Sequence, residues 1–306
     1  EKIADVVKIG ETRSDFTLTV NGVNLAGDKL LSAFEGKLED VYPTEFEQST
    51  KLEDVPAIAS DAVIKASEKV AEPLVYIPVF PGTNSEYDSA KAFEQAGAKV
   101  NLVPFVTLDE AAIEASVDTM VDNICKANII FFAGGFSAAD EPDGSAKFIV
   151  NILLNQKVRA AIDSFIEKGG LIIGICNGFK ALVKSGLLPY GNFEEATETS
   201  PTLFYNDANQ HVAKMVETRI SNTNSPWLAG VKVGDIHAIP VSHGEGKFVV
   251  TDEEFAELRD NGQIFSQYVD FDGKPSMDSK YNPNGSINAI EGITSKNGQI
   301  IGKMGH

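Results

Sequence analysis

Short apolar runs alternate with amphipathic helical segments from Leu74 onward, and this alternation restricts the fold more than any other feature. Apolar runs suited to buried strands lie at 74–80, 99–105, 127–133 and 171–175. Segments with the apolar spacing of helices lie between them, at 85–96, 107–126 and 145–168. Two parallel strands need a long crossover, usually a helix, so this alternation is typical of parallel sheets. The sequence therefore predicts an α/β fold, a doubly wound, mostly parallel sheet with helices on both faces.

Two of the predicted helices carry boundary signals. Thr107 is followed three residues later by Glu110, a capping-box pattern in which each side chain satisfies a backbone N–H at the helix start. We therefore expect Thr107 to be the N-cap of the helix over 107–126. The segment 145–168 is followed by two glycines and is predicted to be one long helix.

Both ends of the chain differ from this α/β region. Residues 1–72 contain a strand-like piece at 16–20, an Asn-Gly turn, a helical stretch at 29–34 and an acidic, weakly periodic segment. The residues after Leu188 are rich in strand-like runs separated by Asn-Gly and Asp-Gly turns. We therefore predict a short N-terminal extension over 1–72, interpreted as the tail of an upstream domain with a linker, and one domain over 73–306.

The composition excludes several classes of function. The formal net charge is −18 and no basic cluster occurs, which disfavours binding to nucleic-acid phosphates. No apolar run approaches the roughly 20 residues that span a bilayer, and the first residues lack the apolar core of a signal peptide. With only Cys125 and Cys176 present, a disulfide framework is excluded and a Cys-rich zinc site is not expected. We expect a cytoplasmic protein with no nucleic-acid or membrane partner.

The sharpest local motif is Gly174-Ile175-Cys176-Asn177-Gly178, where an apolar strand ends at a cysteine and a helical segment begins. This is the cysteine form of the strand-turn-helix elbow that presents a nucleophile. Glycines two before and two after the cysteine avoid clashes across the tight turn, and the helix N-terminus favours the thiolate. A free cysteine is more often a packing residue, and Cys125 is assigned to that role. The flanking glycines and the strand-to-helix change favour a nucleophile at Cys176.

A second loop, Gly134-Gly135-Phe136, follows the apolar run at 127–133. Ligand-binding loops of a doubly wound sheet lie at this end of the strands. Two glycines let main-chain N–H groups approach a reacting carbonyl closely, although a Gly-Gly pair alone is more often a plain turn. Together with the elbow, this loop is expected to form one half of an oxyanion hole, and the Asn177 N–H the other half.

Four longer motifs occur in order along the chain: PGTNSEYDSAKAFEQAGA, FFAGGFSAADEPDG, GLIIGICNGFKALVKSGLLP and IPVSHGEGKF. In order and spacing they resemble the glutaminase domain of phosphoribosylformylglycinamidine synthase, over about Leu74 to His306. The DEPDG run resembles the form in single-chain synthases, and AFEGKLEDVYPT, within 1–72, resembles the end of their ATP-dependent synthetase portion. The resemblance implies a flavodoxin-like class I glutamine amidotransferase, as a C-terminal fragment of a long single-chain enzyme.

The resemblance also implies roles for individual residues. Cys176 is the nucleophile, and His306 is the base, whose partner glutamate would lie two residues further on. The residues around the glutamine carboxamide and its oxyanion are Gly134, Gly135, Phe136 and Asn177. Residues 73–306 would then be a glutaminase domain truncated at its C-terminus.

The implied partners are glutamine and the synthetase domain of the same polypeptide. Ammonia from glutamine would pass to that domain, which uses ATP and Mg²⁺ to convert formylglycinamide ribonucleotide to formylglycinamidine ribonucleotide in purine biosynthesis. No cofactor or metal is expected in this fragment itself.

Three alternatives stay open. His243 and Glu245 also form a His-x-Glu pattern and are a possible base pair, although the resemblance favours the terminal histidine. Asp140, Glu141 and Asp143 suggest a metal site, but a solvated acidic loop is the simpler interpretation. The alternative function is a non-catalytic docking module, or another cysteine-elbow hydrolase or chaperone of the same fold.

Overall fold

The structure, a computed structural model, describes residues 7–41, 43, 46–59, 70–136 and 146–306. The chain divides into two compact units, Glu1–Phe46 and Glu47–His306. The assignment of residues 1–72 to the tail of an upstream domain stays a prediction.

The smaller unit is an antiparallel hairpin followed by a helix. Its elements are β1 (Thr17–Val20), β2 (Val23–Ala26) and α1 (Gly27–Glu35). Asn21 and Gly22 have positive φ, 49° and 80°, as a two-residue turn needs if it is to match the twist of the strands. The strand and helix predicted in this segment are confirmed.

The larger unit first alternates strands and helices, as predicted. In chain order these elements are β3 (Leu74–Val79), α2 (Glu86–Gln95), β4 (Lys99–Pro104), α3 (Glu110–Lys126), β5 (Ile129–Phe132), α4 (Lys147–Leu153), α5 (Gln156–Glu167), β6 (Leu171–Ile175) and α6 (Asn177–Lys184). The strand-rich remainder contains α7 (Leu187–Tyr190), β7 (Thr202–Tyr205), β8 (Val212–Ile220), β9 (Ile236–His243), β10 (Glu245–Val249), α8 (Asp252–Asp260), β11 (Ile264–Val269), β12 (Ile290–Thr294) and β13 (Ile300–Lys303).

Nine of the described strands form one sheet, in the order β4-β3-β5-β6-β13-β12-β11-β8-β9. The strands from β4 to β13 in this order pair in parallel, and β12, β11, β8 and β9 are added in antiparallel pairs. Strands β7 and β10 form a separate antiparallel pair. The predicted α/β fold is confirmed, and the residues after Leu188 supply β13, which lies directly beside β6.

The order of the parallel strands reverses at β3. From β3 the chain crosses through α2 to β4 on one side, and from β4 it crosses through α3 to β5 on the other. Right-handed crossovers in opposite directions place their helices on opposite faces, so α2 covers one face and α3, which packs against α5, covers the other. Such a reversal leaves a crevice at the carboxyl ends of β3 and β5, where doubly wound proteins bind ligands.

Two helix predictions are wrong in detail. The N-cap of α3 is Asp109, not Thr107, because the Asp109 side chain accepts a hydrogen bond from the Ala112 N–H at 2.8 Å. The described part of the segment predicted as one helix over 145–168 forms two helices, α4 and α5. Asn155 separates them because its side chain accepts from the Lys157 N–H at 3.0 Å and so caps a new helix.

The main core lies between the parallel strands and the helices. Its largest fully buried side chains include Tyr76, Met120, Ile124, Phe132 and Phe179. Full burial of a large apolar side chain contributes roughly 1.5–3 kcal/mol, so this layer holds the strand ends in place. Across the described ranges, no helix is both long enough and apolar enough to span a membrane.

Candidate active site

Three chain segments meet at the carboxyl ends of the parallel strands. The loop 80–84 follows β3, the loop 133–136 follows β5, and Cys176 follows β6 directly. Cys176 is buried, and its backbone N–H donates to the Lys303 carbonyl of β13 at 2.9 Å. The neighbouring strand therefore fixes the point from which the turn after β6 starts.

The backbone at Cys176 has the strained conformation of a nucleophile elbow. Its φ of 53° and ψ of −108° lie outside the usual regions for a residue with a side chain, and α6 begins at the next residue. A β-carbon at Gly174 would lie 2.6 Å from the backbone of Gly178, and one at Gly178 would collide with the backbone of Phe132. Both glycines of the motif are therefore required for the strand, turn and helix to pack this closely.

The loop 133–136 is held from one side by the loop 80–84. The Asn84 N–H donates to the Gly134 carbonyl at 3.1 Å, and the Phe136 N–H donates to the Gly82 carbonyl at 2.9 Å. Gly135 lies between these two bonds with a φ of 109°, a backbone conformation that favours glycine. Its own N–H is directed at the sulfur of the nucleophile motif.

His306 follows β13 and lies close to Cys176. Its backbone N–H donates to the Pro240 carbonyl at 3.2 Å. Gly134 separates the two side chains, because a β-carbon there would lie 3.3 Å from the Cys176 Cβ and 3.5 Å from the His306 Nε2. The fold thus brings together a cysteine, a glycine loop and a histidine that are far apart in the sequence.

Burial raises the pKa of the Cys176 thiol, and three groups oppose this increase. In decreasing order they are the Lys180 ammonium, the Asn177 N–H and the Gly135 N–H. The two N–H groups donate toward the sulfur from the start of α6 and from the loop 133–136. Donors so placed suit a developing oxyanion at a carbon bonded to this sulfur.

Burial also lowers the pKa of two histidines. For His306, which is partly exposed, the loss of solvent on its shielded side is the main cause, and the Lys303 ammonium adds to it. A neutral imidazole can accept a proton from a thiol, so this shift suits a general base near neutral pH. For His243 burial is again the main cause and lowers the pKa to about 3, with a contribution from Lys180.

His243 and Glu245 face different partners. The His243 Nδ1 lies 3.2 Å from the Asn206 Oδ1, and its Nε2 has no hydrogen-bond partner within the described ranges. The Glu245 Oε2 lies 3.9 Å from the Lys180 Nζ. This geometry favours His306 as the base beside Cys176 and leaves the alternative pair as buried polar groups.

Lys180 is the residue of this site that sequence reasoning missed. It is 3% exposed and lies in the first turn of α6, where its backbone N–H donates to the Cys176 carbonyl at 3.1 Å. A lysine in a helix is normally expected at the surface. The signal that could have found it is the apolar run around it, Phe179 to Val183, which indicates a helix buried on all sides.

The remaining predicted site residues divide into two groups. Phe136 lies at the edge of the site and is 40% exposed. Asp140, Glu141 and Asp143 lie outside the described residues, so the choice between a metal site and a solvated loop stays open. Within the parts of the chain that are described, no cluster of three or more His, Cys, Asp or Glu side chains is arranged to hold a metal ion.

Comparison with known proteins places the chain in a family. Residues 72–306 match the family model of the CobB/CobQ-like glutamine amidotransferase domain. The phosphoribosylformylglycinamidine synthase subunit PurQ of Aquifex aeolicus is 32% identical over 228 residues, which cover 74% of this chain and 87% of that protein. The PurQ subunit of Methanococcus maripaludis is 34% identical over 228 residues, which cover 74% and 78%.

Among solved structures, the fold is similar to a chain in the structure of PurLQS from Thermotoga maritima. The TM-score is 0.55 and the sequence identity 25%, over 77% of this chain and 87% of that chain. The family match and these relatives show that the chain belongs to the CobB/CobQ-like glutamine amidotransferase domain family, as a PurQ-like glutaminase domain.

Proposed function

We propose that this chain is the glutaminase of a phosphoribosylformylglycinamidine synthase and hydrolyses glutamine to glutamate and ammonia. The observation that carries the proposal is the buried Cys176 elbow, with two backbone N–H groups directed at its sulfur and His306 across Gly134. The family match names glutamine as the amide donor, and the PurQ relatives are named as subunits of phosphoribosylformylglycinamidine synthase. The resemblance implies de novo purine biosynthesis as the pathway. The ammonia serves the ATP-dependent conversion of formylglycinamide ribonucleotide to formylglycinamidine ribonucleotide.

In the first half of the reaction, the neutral His306 takes the thiol proton and the Cys176 thiolate attacks the carboxamide carbon of glutamine. The carbonyl oxygen becomes an oxyanion that accepts hydrogen bonds from the N–H groups of Gly135 and Asn177. The His306 imidazolium then protonates the departing nitrogen, the C–N bond breaks, and ammonia leaves. A γ-glutamyl thioester remains on Cys176.

In the second half, water attacks the thioester carbon while His306 takes one of its protons. The C–S bond breaks, glutamate leaves, and the proton returns from His306 to the sulfur. Each half starts from a neutral imidazole, and the lowered pKa of His306 supports this assignment.

The partner of this chain is the synthetase that consumes the ammonia. We propose that it precedes this domain in the same polypeptide, in a long single-chain enzyme, because AFEGKLEDVYPT resembles the end of a synthetase portion. ATP and Mg²⁺ would bind in that portion and not in residues 73–306. The metabolic role implies a cytoplasmic location.

The proposal is tested with a glutamine analogue that carries a diazo ketone in place of the carboxamide. The protein is incubated with the analogue, and the adduct is located by peptide mass spectrometry. We expect one adduct, on Cys176, that glutamine suppresses and that Cys176→Ser lacks. Cys125 was assigned to packing from the sequence, but this was wrong, because the structure exposes its thiol on the surface of α3. It therefore serves as the internal control for unspecific alkylation.

Two results would overturn the assignment. One is a failure to label Cys176, either with Cys125 labelled instead or with neither cysteine labelled in this chain and in the full synthase. Such a result would favour a docking module. The other is a Cys176→Ser variant that still releases ammonia from glutamine.

A further inference from the structure

We propose that Lys180 and Glu245 form a buried charge pair that sets the reactivity of Cys176. Lys180 is then a positioning residue that stabilises the thiolate, and Glu245 limits its effect. The inference rests on the proposed function for its role in catalysis, but it concerns a property of the thiol that is measurable without glutamine.

The first observation is the burial of a charged side chain next to the nucleophile. Lys180 is 3% exposed, and its helix is buried without interruption from Asn177 to Val183. Burial of an ammonium in such surroundings is strongly unfavourable unless anionic groups and hydrogen bonds compensate. A lysine in the first turn after the elbow therefore indicates that a positive charge is maintained at this place.

The second observation is the group that faces this charge. Glu245 opens β10, is 3% exposed, and places its Oε2 3.9 Å from the Lys180 Nζ. Tight charged hydrogen bonds are about 2.7–2.9 Å long, so this pair is a loose one. A loose pair leaves part of the ammonium field available to a neighbouring anion, and Cys176 is one helical turn away.

The charged and titratable groups around the thiol support the same assignment. Lys180 is the largest of the influences that oppose the effect of burial on the Cys176 pKa. The other titratable neighbours are Tyr268 on β11, whose pKa burial raises, and His306, whose pKa burial lowers. His243 faces Lys180 and its pKa is also lowered by burial. Near neutral pH these three groups are uncharged.

With His306 as the base, the motif His243-Gly244-Glu245-Gly246 has no catalytic role, and the charge pair gives it a positioning role. Glu245 belongs to that motif, and a β-carbon at Gly246 would lie 2.8 Å from the His243 ring. The motif thus packs an uncharged imidazole and one carboxylate against the helix of the nucleophile. In the proposal, the carboxylate keeps Lys180 in place and prevents an excess of positive charge at the thiol.

The test is the pH dependence of Cys176 alkylation by iodoacetamide, followed by peptide mass spectrometry. The proteins are the wild type, Lys180→Met, Lys180→Arg and the double variant Lys180→Met with Glu245→Gln. We expect Lys180→Met to raise the pH midpoint by about one unit, which is roughly tenfold slower alkylation at a pH below both midpoints. Lys180→Arg keeps the charge and should stay near the wild-type midpoint.

The double variant separates an electrostatic role from a structural one. In Lys180→Met the Glu245 carboxylate loses the ammonium that lies 3.9 Å from it, and its negative charge opposes formation of the thiolate, so its removal should reverse at least half of the shift. A structural role predicts a double variant that is shifted as far as Lys180→Met or further. That result, or an unchanged midpoint in Lys180→Met, would overturn the proposal.

Two further measurements keep the outcomes distinct. If circular dichroism shows that Lys180→Met does not fold, the single variant Glu245→Gln tests the proposal. Loss of the carboxylate should lower the pH midpoint of Cys176 alkylation. A midpoint equal to or higher than that of the wild type would contradict the proposed charge pair. Failure of the diazo-ketone analogue to label wild-type Cys176 counts against the proposed function instead. The alkylation assay contains no glutamine and is independent of that result.

Discussion

At the scale of single residues, the space between Cys176 and His306 is set by the absence of a side chain at Gly134. A β-carbon there would lie 3.3 Å from the Cys176 Cβ, which would have to move by a few tenths of an ångström, and in van der Waals contact with the His306 Nε2 at 3.5 Å. A misplacement of about 1 Å can cost about 100-fold in rate, and we expect Gly134→Ala to lower kcat for ammonia release roughly tenfold. The free energy of unfolding should change little.

Gly230→Ala is the matched control for this prediction. A β-carbon at Gly230 would meet nothing within 4 Å, so this variant should keep the wild-type kcat. Equal activity of the two variants would contradict the close approach of Cys176 and His306 to Gly134.

Two constraints act on Gly135, a positive φ and a close approach of the Asn84 backbone, and a second pair of variants distinguishes them. Gly135 and Gly97 both have positive φ, 109° and 93°, so alanine at either position is strained by roughly 1–2 kcal/mol. A β-carbon at Gly135 would also lie 2.6 Å from the Asn84 N, whereas one at Gly97 would meet nothing within 4 Å. We expect urea denaturation to show the larger loss of stability for Gly135→Ala, with most of the activity lost. Gly97→Ala should keep its kcat, and a similar loss of activity in both would assign the effect to strain alone.

At the scale of secondary-structure elements, the position of His306 depends on how the end of β13 is attached to β12. The buried Glu291 of β12 accepts from the Gly305 N–H at 2.8 Å, and the same oxygen lies 3.7 Å from the Lys303 Nζ. Glu291→Ala leaves a buried N–H without its acceptor, which costs about 1–3 kcal/mol. We expect a lower melting temperature and a lower kcat, with KM for glutamine nearly unchanged.

Glu291→Gln tests whether the hydrogen bond or the charge anchors this strand end. The glutamine carbonyl can still accept from the Gly305 N–H, so this variant should lose less stability and less activity than Glu291→Ala. A glutamine variant that is worse than the alanine variant would show that the hydrogen bond is not the anchor.

Some of the helices and strands could be predicted from the sequence, and others could not. Strands β3 and β6 were predicted within one residue of their ends, because each is a short apolar run that begins directly after a Pro or Gly residue. The break between α4 and α5 was missed because one local hydrogen bond at Asn155 overrides a continuous helical pattern. Competing caps at neighbouring positions, such as Thr107 and Asp109, are likewise decided by geometry that the pattern does not contain.

The candidate site was predictable to the extent that its chemistry is local. The elbow at Cys176 and the glycine loop each carry their signal within five residues or fewer. The pairing of Lys180 with Glu245 joins two elements far apart in the chain, and no periodicity or spacing encodes it. From residue types alone, His243 and His306 were both possible bases, and only the family resemblance favoured the second.

At the scale of the whole molecule, the burial of His243 couples folding to pH. Its pKa is about 3 in the folded protein, against an ordinary value of 6.5. Below pH 6.5 the unfolded chain binds a proton that the folded chain does not, so stability falls as the pH falls. This contribution is therefore complete only above pH 6.5, and it decreases by up to about 1.4 kcal/mol per pH unit below it.

The comparison of pH 7 with pH 5 tests this coupling. Between these values His243 should account for a loss of about 2 kcal/mol in the free energy of unfolding, and His243→Gln should lack that loss. Urea denaturation at both pH values measures it. His237→Gln, an exposed histidine of the same strand, is the control and should keep the wild-type pH dependence. An unchanged pH dependence in His243→Gln would contradict the buried neutral imidazole.

The hydrogen bonds between the loops 80–84 and 133–136 fix the orientation of the peptide dipoles around Gly135 before any reaction begins. Because the Gly134 carbonyl and the Phe136 N–H are both engaged, the peptide planes on either side of Gly135 cannot rotate freely. In water, solvent dipoles must reorient each time charge develops on a carbonyl oxygen, whereas dipoles fixed during folding need not move. In the proposed reaction, the loop 80–84 would therefore lower the reorganisation energy without contacting the reacting atoms.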